Sequence, residues 1–339
     1  MNAGIQARMR WDVVAKPLRS LGRLEDLIAQ IADIQGTPDV RIDKRCALIF
    51  CGDHGVVREG VSQSGSEVTA LVAKSIAEGT GNVNLMADAA QMDVFAVDMG
   101  MIASVPGTID RRTDAGTADM TQGSAMTRAQ AEQAVQAGID LMGGMKKRGY
   151  QIVVVGEMGI GNTTAAAAIT SVLLDLPAET VTGRGAGLSD AGLERKIEAI
   201  RRAIQANRPD RDDPLDVLAK LGGFEIAGMV GAYLGGARHG LPAVVDGIVS
   251  AAAALTAVRI CPGTKGFMLP SHAGRGKMAD ALMNALGLRP VLDADLALGE
   301  GTGGVLLLPL LDMALRVYHG PHTFAALGMK AYTPQGGAL

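Results

Sequence analysis

A recurring unit constrains the fold of this chain more than any other feature: a short apolar run, a glycine-dense turn, then a run with helical character. The pattern is densest at Gly156-Glu157-Met158-Gly159-Ile160-Gly161-Asn162-Thr163-Thr164, at Gly183-Arg184-Gly185-Ala186-Gly187 and at Gly299-Glu300-Gly301-Thr302-Gly303-Gly304. Glycine lets the backbone approach a ligand closely, and a helix starting just beyond it directs free N–H groups and a positive dipole end at whatever lies there. Such turns suit an anion, above all phosphate. Glu157 and Glu300 sit inside two of them and would repel phosphate, so they are read as chemistry beside the anion rather than as part of its cradle. Any one loop, taken alone, would also serve as a tight strand-to-helix turn.

Apolar runs at 45–51, 93–97, 151–155, 242–245 and 266–269 are each bounded by Gly, Pro or Asp and read as strands. Helical stretches lie between them. Residues 18–32 place Leu21, Leu24, Ile28 and Ile31 at spacings of three and four, which predicts an amphipathic helix closed by the Gly-Thr-Pro break at 36–38, and residues 67–78 predict another. Strand–turn–helix alternation predicts an α/β fold, a doubly wound, mostly parallel, Rossmann-like sheet that binds ligands beyond the carboxyl ends of its strands.

Composition removes several classes. With 3% aromatic residues and a net charge of −3, the chain offers neither stacking platforms nor a basic footprint, so nucleic acid is not an expected partner. Its 45 glycines and Ala-rich stretches suit close packing of helices on a sheet. Cys46, Cys51 and Cys261 are odd in number and lack C-x-x-C spacing, which predicts reduced thiols in or near the core of a cytoplasmic protein. No membrane span is expected, because Asp246 interrupts the apolar stretch at 241–258 and Asp312 the one at 305–317. The charge run at 201–214 reads as a solvated helix end and loop, and Gly336-Gly337 as a short low-complexity end.

The first turn has the spacing of a Walker A loop, yet Asn162 and Thr163 stand where Lys and Ser/Thr belong. That lysine reaches the β- and γ-phosphates of a triphosphate, so a loop without it suits a single phosphate. The G-x-G-x-x-G pattern fails as well, since Thr164 replaces its third glycine. There is no G-x-S-x-G elbow, and Ser271 and His272, adjacent in sequence, would tend to point apart. His319-Gly320-Pro321-His322 has no third ligand nearby and reads as a surface turn; no metal is expected. The 17 methionines are scattered and read as core filler.

Several blocks together resemble one family. They are Lys16-Pro17-Leu18-Arg19-Ser20-Leu21-Gly22-Arg23-Leu24-Glu25, Gly52-Asp53-His54-Gly55-Val56, Glu67-Val68-Thr69, the whole first turn, Gly183-Arg184-Gly185, and Leu298-Gly299-Glu300-Gly301-Thr302-Gly303. In this order, from about residue 16 to the region of Val317, they resemble the nicotinate-nucleotide:dimethylbenzimidazole phosphoribosyltransferases. The resemblance implies transfer of the phosphoribosyl group of nicotinate mononucleotide to a benzimidazole nitrogen, giving α-ribazole phosphate for the lower ligand of cobalamin. It further implies a homodimer, a large α/β domain over residues 40–290, and a small helical domain built from 1–39 plus 291–339.

By resemblance Glu300 is the general base that takes the acceptor's N–H proton, and Glu157 lies across the site, supporting the ribose or the charge developing at C1′. Both carboxylates could alternatively cap their own turns. Gly159, Ile160, Gly161, Asn162 and Thr163, with Gly183, Arg184, Gly185, Gly299 and Gly301, would line the nucleotide and its phosphate. Lys196 matches a position near the phosphate, a solvated lysine being the alternative. The nicotinate leaving group is already a pyridinium, so no cofactor and no metal are called for.

Two departures touch the site. Ser64, Val72 and Leu298 fall at acceptor-base positions, but Gly65 replaces a proline and Val72 a glutamine, so a polar contact to the base is lost. A family serine that touches phosphate is Gly274 here, and Arg275 or Lys277 is the candidate cationic substitute. A non-catalytic nucleotide-binding relative and a transferase with another acceptor base remain the alternative readings.

Overall fold

The computed structural model describes residues 2–333, so the Gly336-Gly337 end lies outside the described residues. Six strands, β1 (Arg45–Gly52), β2 (Asp93–Gly100), β3 (Ile109–Asp110), β4 (Ile152–Met158), β5 (Ala243–Val245) and β6 (Met268–Pro270), form one sheet. They run in the order β3-β2-β1-β4-β5-β6 and every pair is parallel. The chain leaves β1 in one direction through β2 and β3, then returns beside β1 and proceeds the other way. A crevice therefore opens at the carboxyl ends of β1 and β4, where the order reverses. β1 ends at Gly52 and β4 at Met158, which delivers Gly52-Asp53-His54-Gly55 and the first glycine turn to one place.

Strand residues alternate between two cores, as a pleated strand buried on both faces requires. On one face Cys46, Leu48 and Phe50 of β1 join Val153 and Val155 of β4, under the helices Arg128–Lys147, Asn162–Leu174, Phe224–His239 and Ile248–Ile260. On the other, Ala47, Ile49 and Cys51 join Ile152 and Val154 under Ala3–Val13, Arg23–Gln35, Glu67–Ala77, Asn82–Ala89 and Thr302–Tyr318. The two chain ends meet on this second face. Trp11 and Tyr318 pack with ring centroids 4.9 Å apart and planes tilted by 56°, and Phe324 N donates to Val13 O at 3.1 Å.

The expected strands are all present, with three differences elsewhere. β3 is two residues long and carries no apolar run, so a reading built on such runs had nothing to register. The helix expected at 18–32 instead runs Arg23–Gln35, because Arg19 and Gly22 take left-handed φ of 54° and 55° and turn the chain first; Gly36 ends it as expected. Cys46 and Cys51 are buried, but Cys261 is exposed, correcting its placement in or near the core: it caps the helix Ile248–Ile260 at the point where the chain leaves for the surface. Among the described residues no helix is long and apolar enough to cross a membrane.

The glycines have a packing role away from the turns. Helices Arg128–Lys147 and Phe224–His239 approach until a Cβ on Gly231 would lie 1.9 Å from Val135 O and one on Gly138 2.0 Å from Gly228 O. A single added methyl there must force the helices apart. Gly231→Ala is therefore expected to destabilise the protein by about 3 kcal/mol, at the upper end of overpacking costs, read as a lower urea midpoint at unchanged slope.

Candidate active site

The first and third glycine turns are pressed together. A Cβ on Gly156 would lie 2.6 Å from Gly301 N, and one on Gly299 2.7 Å from Glu157 Oε1, so the two carboxylate-bearing turns share one wall of the crevice. Glu157 occupies the penultimate position of β4, opposite Phe50 of β1, and is half-buried. Withdrawal from water, then the charge of Asp246, pushes its carboxyl up to about 8 against the opposing hydrogen bond from Asn162, with Glu225 and Glu300 adding to the rise. Asn162 opens the helix Asn162–Leu174 and donates Nδ2 to Glu157 Oε2.

In the third turn Gly299, Glu300 and Gly301 all have left-handed φ, of 85°, 57° and 77°. For glycine this is free, whereas for Glu300 it stores about 1–3 kcal/mol, the kind of outlier that clusters at working sites. Glu300 Oε2 is buried with no hydrogen-bond partner among the described residues, and burial, then Asp246, raises its carboxyl. Beneath the turn, Asp246 Oδ2 accepts from Gly301 N at 3.1 Å and Oδ1 from Gly304 N at 3.0 Å, capping the helix Thr302–Tyr318 from the end of β5. In the sequence Asp246 stands out only as a charge breaking an apolar stretch; its place directly after a strand, at the carboxyl edge of the sheet, is the signal that marks it.

The second turn closes over the first. Lys196 is 1% exposed, which removes the solvated alternative, and its Nζ donates to Thr163 Oγ1 at 2.7 Å; burial pushes it down to about 8. A Cβ on Gly185 would lie 3.2 Å from Thr163 Oγ1 and 3.4 Å from Lys196 Nζ. Ser62, Gln63, Gly161, Thr163, Arg184 and Gly185 line one small cleft here. The N–H groups of Gly161 and Thr163 have no protein acceptor among the described residues, so the helix start is open to an anion. Two expected donors are already engaged. Ile160 N donates to Thr69 Oγ1 at 3.0 Å, and Arg184 donates Nη1 to Leu188 O at 2.9 Å and Nη2 to Asp190, folding back on its own loop. Gly183 has open space where a side chain would be.

Under the first turn lies a buried pair the sequence reading missed: His54 Nε2 is 2.6 Å from Glu225 Oε1, both side chains essentially inaccessible. A Cβ on Gly159 would lie 3.5 Å from Glu225 Oε1 and one on Gly161 3.1 Å from His54 Cβ, so the pair forms the floor of the loop.

The remaining expected residues are more scattered. Ser64 is half-buried, Val72 packs against the second-face core from the helix Glu67–Ala77, and Leu298 is exposed. Arg275 is 64% exposed, its Nε 4.0 Å from Asp295. Ser271 and His272 do not point apart: Ser271 Oγ lies 3.0 Å from His272 Nδ1, because the chain bends as it leaves β6. Ser271 donates its proton to Val245 O at 2.7 Å, so the contact is a buried brace rather than a nucleophile and its base. Among the described residues no three His, Cys, Asp or Glu side chains gather as a metal site.

One end of this crevice can hold a phosphate on backbone donors and a buried lysine. The other holds two carboxyl groups raised by burial, those of Glu157 and Glu300, the second with Oε2 free of a hydrogen-bond partner among the described residues. A family profile described as a phosphoribosyltransferase matches residues 1–329. The chain is 42% identical, over 96% of its length and 93% of the relative's, to the nicotinate-nucleotide–dimethylbenzimidazole phosphoribosyltransferase of Acetivibrio thermocellus, and 41% identical over 97% and 95% to that of Geobacter metallireducens. The crystal structure of CobT from Thermus thermophilus superposes with a TM-score of 0.91 at 41% identity, covering 97% of this chain and 99% of that one. Near-full-length identity of this order, together with the shared fold, establishes that the chain belongs to the nicotinate-nucleotide–dimethylbenzimidazole phosphoribosyltransferase family.

Proposed function

We propose that this protein transfers the 5-phosphoribosyl group of nicotinate mononucleotide to 5,6-dimethylbenzimidazole or a related base, releasing nicotinate and forming α-ribazole 5′-phosphate in cobalamin synthesis. The observation that carries the reading is the unpartnered Glu300 Oε2 in a turn pressed against Glu157, with a single-phosphate cradle at the other end of the crevice. In this scheme the phosphate sits on the Gly161 and Thr163 N–H groups with Lys196 behind it, which directs C1′ toward the carboxylates. The acceptor nitrogen forms its bond to C1′ as the C1′–N bond to the pyridinium breaks, and the electron pair of that bond leaves with nicotinate. Glu300 takes the N–H proton from the other nitrogen of the acceptor and so removes the charge the new bond creates. Glu157, pushed up to about 8, is largely protonated at neutral pH and so serves better as a hydrogen-bond donor to a ribose hydroxyl than as a counter-charge. No step requires a cofactor.

The apolar Val72 favours an acceptor bound by shape, so acceptor range is part of the proposal. We assign residues 40–290 to a substrate-binding α/β domain and the two chain ends to a helical domain, supported by the Trp11–Tyr318 ring contact that joins them. A homodimer is supported by exposed apolar stripes: Ile5, Met9 and Val13 on one helix, and Leu306, Met313 and Val317 on another. A cytoplasmic enzyme fits its free cysteines.

Nicotinate release, followed by chromatography, should require both the mononucleotide and an acceptor base, and Glu300→Gln should lower it by about 10²–10⁴ while leaving nucleotide affinity intact. Near-wild-type turnover in that variant would remove Glu300 as the base. Lys196 loses its charge as pH rises through about 8, so calorimetric affinity for the mononucleotide should fall above that pH in the wild type; in Lys196→Met it should be weak and flat across the same range. Arg275 must leave solvent and Asp295 to reach a phosphate, so Arg275→Ala should weaken affinity by only about threefold, within the range of an exposed ion pair. Met313→Glu should shift the sedimentation of the protein toward the monomer.

A further inference from the structure

We infer that Asp246 is a positioning residue for Glu300, holding its turn by two backbone hydrogen bonds and standing behind it as a fixed negative charge. The inference deepens the proposed phosphoribosyl transfer and rests on that reading for its catalytic meaning.

The geometry begins with anchorage. β5 is three residues long, and Asp246 follows it directly. Asp246 N donates to Ser250 Oγ at 3.2 Å, Ser250 Oγ donates to Val155 O of β4 at 2.8 Å, and Tyr233, 2.5 Å away, supplies its hydroxyl proton to Ser250. The backbone of Asp246 is thus braced against the strand that carries Glu157. From this buried base the carboxylate spends both oxygens on the third turn, one on Gly301 N and one on Gly304 N. Those amides flank the start of the helix Thr302–Tyr318, and Glu300 is the residue immediately before Gly301. A turn whose residues 299–301 are all left-handed gains little from its own propensity; Thr302 closes it locally, its N and Oγ1 donating to Gly299 O at 3.0 and 2.7 Å, and the two hydrogen bonds to Asp246 tie it to the sheet.

A neutral cap would have sufficed to hold a helix start. A charge does something further, since it opposes ionisation of its acidic neighbours and keeps Glu300 a stronger base. The titratable groups facing Asp246 are Glu300 in the turn it holds, Glu157 from β4, Tyr233 from the helix Phe224–His239, and His272 from the end of β6, whose Nδ1 lies 4.0 Å from Asp246 Oδ1. His272 is itself fixed by Ser271, at 3.0 Å, and by the helix start, where a Cβ on Gly303 would collide with its ring.

Asp246→Asn keeps one acceptor oxygen, turns an NH₂ toward the other amide and removes the charge, whereas Asp246→Glu keeps the charge and displaces it. The carboxyl titration of Glu300, followed by ¹³C NMR of glutamate-labelled protein and assigned with Glu300→Gln, should move to lower pH in Asp246→Asn and stay near the wild-type midpoint in Asp246→Glu. In both variants kcat for nicotinate release should fall by about 10², the usual penalty of misplacing a group by an ångström, with the Kd for nicotinate mononucleotide within about threefold of wild type. An unmoved Glu300 midpoint in Asp246→Asn would overturn the inference. So would loss of cooperative melting in both variants, which would make Asp246 a folding residue only. The NMR titration needs no turnover, so it decides the inference separately from the nicotinate assay that tests the reaction itself.

Discussion

The close approach of Gly156 to Gly301 is the contact on which the site depends. Because neither residue has a side chain, the end of β4 and the start of the helix Thr302–Tyr318 touch through backbone, and two turns about 140 residues apart in sequence become one surface. The turn that carries Glu300 lies against Glu157 for that reason. The doubly wound sheet supplies the frame: the reversal of strand order between β1 and β4 opens the crevice, and β5 delivers Asp246 to its floor.

The electrostatics divide the crevice into two ends. Lys196 and the open amides of Gly161 and Thr163 gather at one, and Glu157, Asp246 and Glu300 at the other. A nucleotide monophosphate matches that asymmetry, with its anion at one end and a cationic glycosidic nitrogen at the other. The same asymmetry resolves the apparent misfit of acids in phosphate-type turns. In the proposed reaction the acids would serve the far end of the ligand, and the helix starts its phosphate.

Much of this was legible in the sequence because it depends on local pattern. Short apolar runs bounded by Gly, Pro or Asp placed five of the six strands, and the glycine-turn blocks carried the family to which the chain belongs. What escaped was whatever depends on two distant segments meeting. Asp246 and the His54–Glu225 pair are single polar residues in otherwise plain surroundings, and their meaning appears only when strand ends converge. Lys196 lies on a helix of mixed polarity, where no pattern separates a buried ammonium from a solvated one. β3 and Cys261 failed for opposite reasons: the first had too little apolar character to register, and the second too much to be placed outside.

The bond from Ile160 N to Thr69 Oγ1 has a mechanical consequence. Thr69 is fully buried on the same helix that carries Val72, so a strut of one hydrogen bond joins that helix to the first glycine turn. Movement of that helix to admit a base is therefore also a pull on the loop beside the open amides of Gly161 and Thr163. The helix Glu67–Ala77 and the first glycine turn are thereby one mechanical body, which would couple the two substrates of the proposed reaction without any contact between them.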